Sequence, residues 1–251
     1  MPEWDVGIIG AGPAVLMAAI AAAEGGARVV VCEQLDRPGV KLLATGGGRC
    51  NVTNTASAEA VMARFGRQGR FMAPALAGLD GPKLRAFLAG LGVPTHAPDG
   101  FHVFPVSNSA RSVLDALVGR AAALGVRIVT GVEATRLTHE GIETRRGPVP
   151  CRRILLATGG KGYSALGATG AGYRQRPREP AAGLPLRARE MQLFLDIWGI
   201  CGIITVAGQV SAWCAQVAEA CSTDSGSTRT RQAMLNGGCG LSGRLPCNVG
   251  C

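Results

Sequence analysis

The sequence predicts an α/β domain built on a central, largely parallel sheet, and three observations carry that expectation. Two short apolar runs, residues 6–9 and 28–33, read as buried strands bounded by turn residues. Residues 13–24 between them repeat apolar positions at helical spacing, so strand, helix and strand fill about thirty residues, the size of one βαβ unit. Strands and helices then keep alternating as far as residue 157.

Each element has its local reason. Pro13 stands in the first turn of the first helix, where a missing N–H costs nothing, and Gly25-Gly26 stops that helix. A long glycine-rich loop is expected from Pro38 to Asn54. Helices follow at residues 58–65 and 82–91, the second with Asp80 as its cap, and residues 100–104 read as a short strand. Ser109 is the expected cap of an amphipathic helix reaching Leu124. Residues 126–130 form a strand, residues 132–138 and 141–145 a small β-hairpin layer, and residues 153–157 a last buried strand that ends on Thr158-Gly159-Gly160.

Composition narrows the function classes. The net charge of +9 suits an anionic partner such as a dinucleotide. The basic residues are scattered rather than gathered with stacking aromatics, so no nucleic-acid partner is expected. The acidic start Met1-Pro2-Glu3-Trp4-Asp5 is unlike a secretory leader. Nine cysteines, an odd number, argue against a complete disulfide framework, and Cys32, Cys50 and Cys151 read as reduced thiols of a cytoplasmic protein.

Two glycine motifs carry the chemistry. Gly10-x-Gly12-x-x-Val15 lies between a strand and a helix, as the dinucleotide fingerprint requires. Gly10 permits the turn, Gly12 lets the backbone approach a pyrophosphate, and the helix start at Pro13 and Ala14 offers N–H groups and partial positive charge. Glu33 ends the second strand, where a carboxylate can accept bonds from a ribose with a free 2′-hydroxyl. Val15 replaces the usual third glycine, at an expected packing cost of about 1–3 kcal/mol. In the second motif, Lys41-Leu42-Leu43-Ala44-Thr45-Gly46-Gly47-Gly48-Arg49-Cys50-Asn51, consecutive glycines expose backbone N–H groups while Lys41 and Arg49 add positive charge. Cys50 has no partner at Cys-x-x-Cys spacing and reads as a packed thiol. His96 and His102 flank Asp99-Gly100 without a third ligand at compatible spacing, so a surface hairpin is expected there and no metal site. Neither a Ser/His/Asp set nor paired carboxylates stand out, as befits a protein whose reactive group is a cofactor.

The run from Asp5 to Gly12, the loop 41–54, the segment Gly100-Phe101-His102-Val103-Phe104-Pro105-Val106-Ser107 and the stretches 156–163 and 167–173 together resemble one family, the BaiN/RdsA-type (YhiN-like, HI0933-like) NAD(P)/FAD-dependent oxidoreductases. The family pattern Lys-x-Leu-x-(Ser/Thr)-Gly-Gly-Gly-Arg-Cys-Asn is matched without a gap. The resemblance implies a Rossmann-type FAD/NAD(P)-binding domain, truncated relative to the family. It implies FAD held by Gly10, Gly12, Pro13, Ala14 and Glu33, by Lys41, Thr45, Gly46, Gly47, Gly48, Arg49 and Asn51, and by Thr158, Gly159 and Gly160 as a second signature. It also implies NAD(P)H as electron donor and a small unsaturated or carbonyl substrate. Catalytic side chains are not identified. Ala171 stands where the family has Asp.

After Tyr173 the character changes: residues 174–190 are rich in Arg and Pro, and six of the nine cysteines fall between Cys201 and Cys251. The expected division is therefore a nucleotide-binding domain at 1–173 and a tail of unknown fold at 174–251. The tail reads as out-of-frame or otherwise non-native sequence, as a novel small domain, or as a membrane segment at 197–218, where no charged residue occurs. Two functions follow from different classes. One is an FAD-dependent oxidoreductase; the other is a non-catalytic nucleotide-binding remnant that lacks its substrate domain. A plain NAD-binding dehydrogenase has no catalytic His/Arg/Asp set to support it.

Overall fold

The computed structural model describes residues 3–170 and Gly172; Ala171, Tyr173 and the tail 174–251, with its cysteines and its uncharged segment, lie outside the described residues. In chain order, β1 (Trp4–Ile9) leads through α1 (Pro13–Glu24) to β2 (Val29–Cys32). Next come α2 (Val40–Ala44), β3 (Thr53–Asn54), α3 (Ala58–Arg64), α4 (Ala73–Gly78) and α5 (Gly81–Gly90). The short strands β4 (Thr95–His96) and β5 (His102–Pro105) precede α6 (Ala110–Ala123) and β6 (Arg127–Val129). The hairpin β7 (Ala134–Leu137) and β8 (Gly141–Thr144) then runs into the long β9 (Gly147–Leu156).

Six strands make the principal sheet, in the order β6-β2-β1-β9-β8-β7. The first four are parallel, with Ile9 opposite Cys32 on one side and Leu156 on the other. The hairpin joins antiparallel through the first half of β9, so the sheet is mixed. A second, three-stranded antiparallel sheet has the order β3-β5-β4.

Burial follows the period-two alternation of β1. Val6 and Ile8 face the main core, which they share with Leu16 and Ile20 of α1 and Val113, Leu114 and Leu117 of α6. Ile9 faces a smaller cluster with Ala134, Ile142 and Cys151, so the hairpin closes the opposite face as a thin layer. A β-carbon at Gly7 would stand 2.7 Å from Cys151 Sγ and 2.8 Å from Ile142 Cδ1, which shows how closely that layer is laid on the sheet. Val15 is fully buried in the main core and α1 runs unbroken past it.

One end of the sheet is clasped by charge. Asp5 accepts from Arg28 Nε at 3.0 Å, Arg28 Nη2 at 3.2 Å and the Arg28 backbone N–H at 3.0 Å, with Arg152 Nε 3.6 Å away. The Arg28 hydrogen bonds hold the Asp5 carboxyl below the usual carboxylate range.

Several local expectations are corrected. The stretch 38–54 is not a loop throughout but contains α2 and a turn of 3₁₀ type, Thr45–Gly48. A further 3₁₀ turn, Gly66–Met72, and α4 fill a stretch for which no element was expected. The last strand begins at Gly147 rather than near Arg153. Asp80 caps α5 by accepting from Lys83 N at 2.8 Å, whereas the Ser109 hydroxyl makes no capping bond to α6.

Candidate functional site

Parallel strands leave a crevice at their carboxyl ends, and this sheet ends in glycine there. Gly10 N–H donates to Cys32 O at 2.8 Å and Ala157 N–H to Ile9 O at 3.1 Å, which brings the turns after β1 and β9 side by side. Gly10 has φ +101°, and a β-carbon on it would stand 2.8 Å from Ala157 O. Gly12 differs: its φ is −73° and nothing lies within 4 Å of where a β-carbon would be. Protein packing thus demands glycine at 10, while glycine at 12 leaves open space before the first turn of α1.

Glu33 is buried beside this turn, where its Oε2 accepts from Ala11 N–H at 2.5 Å and its Oε1 from Leu35 N–H at 2.9 Å. A carboxylate accepts at about four positions, so these two bonds fix the side chain without exhausting it. Gly39 N–H donates to Ala11 O at 2.9 Å and so ties the start of α2 to the same turn. From α2, Lys41 reaches across, its Nζ 3.7 Å from the β-carbon position of Gly159. The Thr158 hydroxyl is buried and has no hydrogen-bond partner among the described residues. Gly10, Gly12, Glu33, Lys41 and the 158–160 turn are therefore gathered at one end of the sheet, with Pro13 and Ala14 in the first turn of α1.

The triple-glycine turn is built differently. Thr45 Oγ1 donates to Leu42 O at 2.6 Å and closes α2. Gly46, Gly47 and Gly48 follow with φ of +57°, +66° and +87°, a left-handed run that side-chain-bearing residues resist at about 1–2 kcal/mol each. All three are exposed, as is Arg49. The Arg49 Nε donates to Gly46 O at 3.2 Å and its guanidinium carbon lies 4.7 Å from the centre of the Phe104 ring. Asn51 is buried, and in the amide orientation that satisfies its neighbours its nitrogen donates to Thr53 O at 2.7 Å and Val103 O at 3.1 Å. That amide is spent on stitching the loop to β3 and β5, which leaves only its carbonyl oxygen for other work. Phe104, on β5, is a contributor the motif reading passed over, because a strand aromatic next to valine carries only a core signal.

The remaining chemistry-bearing groups are packed or paired at the surface. Cys50 is fully buried and burial raises its thiol pKa; burial pushes Cys32 and Cys151 up to about 11. His102 Nδ1 lies 2.5 Å from Asp99 Oδ2, and this bond holds the exposed Asp99 carboxyl well below its ordinary range. His96 sits on β4 opposite Phe104. Among the described residues no group of His, Cys, Asp and Glu is arranged to hold a metal ion, and no helix is long and apolar enough to cross a membrane.

Comparison with known proteins gives these features a context. The family model described as the HI0933-like protein Rossmann domain matches residues 4–179. The chain is 38% identical over 174 residues to a 3-dehydro-bile acid Δ4,6-reductase of Clostridium scindens, covering 67% of this chain and 42% of that protein. It is 29% identical over 192 residues to the ribosomal RNA dihydrouridine synthase of Escherichia coli, covering 75% and 47%. Among solved structures, a 3-ketosteroid-Δ4-(5α)-dehydrogenase of Rhodococcus jostii overlaps with TM-score 0.45 and 21% identity, covering 64% of this chain and 47% of that one. The chain thus spans slightly less than half the length of the curated relatives it matches.

Proposed function

The chain belongs to the HI0933-like Rossmann-domain family, and from that premise we propose that it forms the FAD-binding part of an FAD-dependent oxidoreductase that takes hydride from NAD(P)H and passes it to a small unsaturated or carbonyl substrate. The observation that carries this reading is the convergence at one sheet end of an open Gly12, a fixed Glu33 and Lys41 beside Gly159.

These residues fit a dinucleotide. The open space at Gly12 suits the close approach of a pyrophosphate to the start of α1. The remaining acceptor positions of Glu33 suit ribose hydroxyls, and Lys41 supplies the cation for the phosphates. The orphaned Thr158 hydroxyl provides a buried donor in the adjoining turn. The left-handed glycines 46–48, with Arg49, present exposed backbone where no side chain obstructs a ligand. Bound FAD supplies the hydride-transfer chemistry, while the chain's own residues bind and orient it. Domain limits of 1–173 and 174–251 and a cytoplasmic setting belong to the same proposal.

The small-molecule substrate class is favoured over RNA by the relatives themselves. The reductase whose name specifies a bile acid is 38% identical, against 29% for the ribosomal RNA enzyme, and the scattered arginines supply no binding stripe.

The visible spectrum of the purified full chain tests the proposal. Absorption near about 450 nm, or its appearance on adding FAD, with bleaching by NADH or NADPH without oxygen, is the expected result. A colourless protein that takes up no FAD overturns it.

A further inference from the structure

Phe104 shows how the exposed loop can hold a charged side chain still. Its ring is buried at the end of β5, 7% exposed, and its Cε1 would be 3.2 Å from a β-carbon at Gly46. The same ring lies 4.7 Å from the Arg49 guanidinium carbon. Arg49 is exposed, and its Nε is bonded to Gly46 O. Its two terminal amino groups have no hydrogen-bond or ion-pair partner among the described residues. Carboxylates pair Asp5 with Arg28, Glu24 with Arg120 and Glu133 with Arg145, but among the described residues none pairs with Arg49.

A long side chain on a surface loop ordinarily gives up rotamer entropy when it binds. Here the ring face and the Gly46 carbonyl restrain Arg49 beforehand, while the two terminal nitrogens, which can pair with phosphate oxygens, remain uncommitted. We propose that Phe104 is a positioning residue which pre-orients Arg49 for an anionic group of the bound dinucleotide. This rests on the FAD-binding reading above. It also gives the adjacent glycine a second reason: at 46 a side chain would collide with Asn51 N and press on the ring that aligns Arg49.

The test is a double-mutant cycle on FAD affinity in the full chain, with apo-protein amide exchange as a readout that needs no flavin. Arg49→Ala is expected to raise the FAD Kd about tenfold or more, the value of a charge-assisted bond. Phe104→Leu should raise it about 2- to 5-fold, and Phe104→Tyr should restore the wild-type value. In the Arg49→Ala background, Phe104→Leu should add nothing. Without flavin, both Arg49→Ala and Phe104→Leu should speed amide exchange over residues 46–50, and Phe104→Tyr should not.

An equal loss from Phe104→Leu in both backgrounds, or no loss in either, overturns the inference. Should Phe104→Leu not fold, unchanged exchange over 46–50 in Arg49→Ala overturns it instead. Wild-type protein that binds no FAD defeats the FAD-binding reading and this inference with it. Wild-type uptake with a flat cycle defeats this inference alone.

Discussion

The two ends of the principal sheet are secured in opposite ways. At the amino ends of β1 and β2, Asp5 takes three hydrogen bonds from Arg28 and lies beside Arg152 in the middle of β9, so side chains bind neighbouring segments together. At the carboxyl ends β1 and β9 run into Gly10–Gly12 and Thr158–Gly160, where backbone bonds do the fastening and side chains are withdrawn. The buried Glu33 is inserted there, and it grips backbone N–H groups rather than other side chains. The contrast separates what holds the sheet from what leaves it open: charge closes one end, and glycine keeps the other accessible.

Substitutions at the two ends should therefore separate stability from binding. The largest effect is expected for Gly10→Val, which combines an unfavourable φ with overlap at Ala157 O. It should cost about 3 kcal/mol or more and lower the Tm by roughly 6–12 °C, measured by differential scanning calorimetry. An unchanged Tm would show that the turns after β1 and β9 are not in contact. Glu33→Gln comes next: one backbone N–H would face an amide NH₂, and FAD affinity in a fluorescence titration should fall about 10- to 100-fold.

Gly12→Ser sharpens the contrast, because the open space predicts apo stability within about 0.5 kcal/mol of wild type, serine being a good cap. FAD affinity should nonetheless fall about tenfold or more; a variant that binds FAD normally would mean no ligand approaches Gly12.

The smallest effect belongs to the other end. Asp5→Asn should cost about 1 kcal/mol at pH 7 and leave FAD affinity unchanged. Because the Arg28 hydrogen bonds hold the folded-state carboxyl of Asp5 below the ordinary aspartate range, its contribution is complete above that range and is lost as pH falls through the lowered value. The stability gap between wild type and Asp5→Asn should accordingly close below about pH 4 in urea unfolding; a gap that stayed constant would assign the clasp no electrostatic share.

Legibility in the sequence followed the strength of local signals. The first βαβ unit is readable to within two residues: Pro13 and Gly25 mark both ends of α1 and β2 is an uninterrupted apolar run, while β1 begins at Trp4, two residues before the apolar run that announced it. The turn Gly66–Met72 escaped because Gly-Arg-Gln-Gly-Arg-Phe-Met has no 3.6-residue period. The five-residue α2 was hidden by the glycines that follow it.

The early half of β9 was obscured by Pro148 and Pro150, residues that argue against a central strand. They are tolerated because β8 alone pairs with that half: Gly141 faces Pro150 and Glu143 faces Pro148, while pairing with β1 begins only at Cys151. Within the site, residue types and spacing revealed the glycines, Glu33 and Lys41. They could not reveal that Asn51 would be turned onto backbone carbonyls, or that Phe104 would meet Arg49 from a strand more than fifty residues away.

Strand β9 also determines where the chain can change length. It serves the hairpin with its first half and the glycine-rich end of the sheet with its second, so its ten residues are a measured spacer. One residue inserted between Cys151 and Leu156 would turn Leu155 out of the core and advance Thr158 by about 3.3 Å past Gly10. The turn between β7 and β8 is held to β9 by Cys151 N–H donating to Glu140 O at 3.1 Å, but its His139 and Glu140 side chains are exposed and face no core. Insertions are thus tolerated at the hairpin tip and forbidden in the strand behind it.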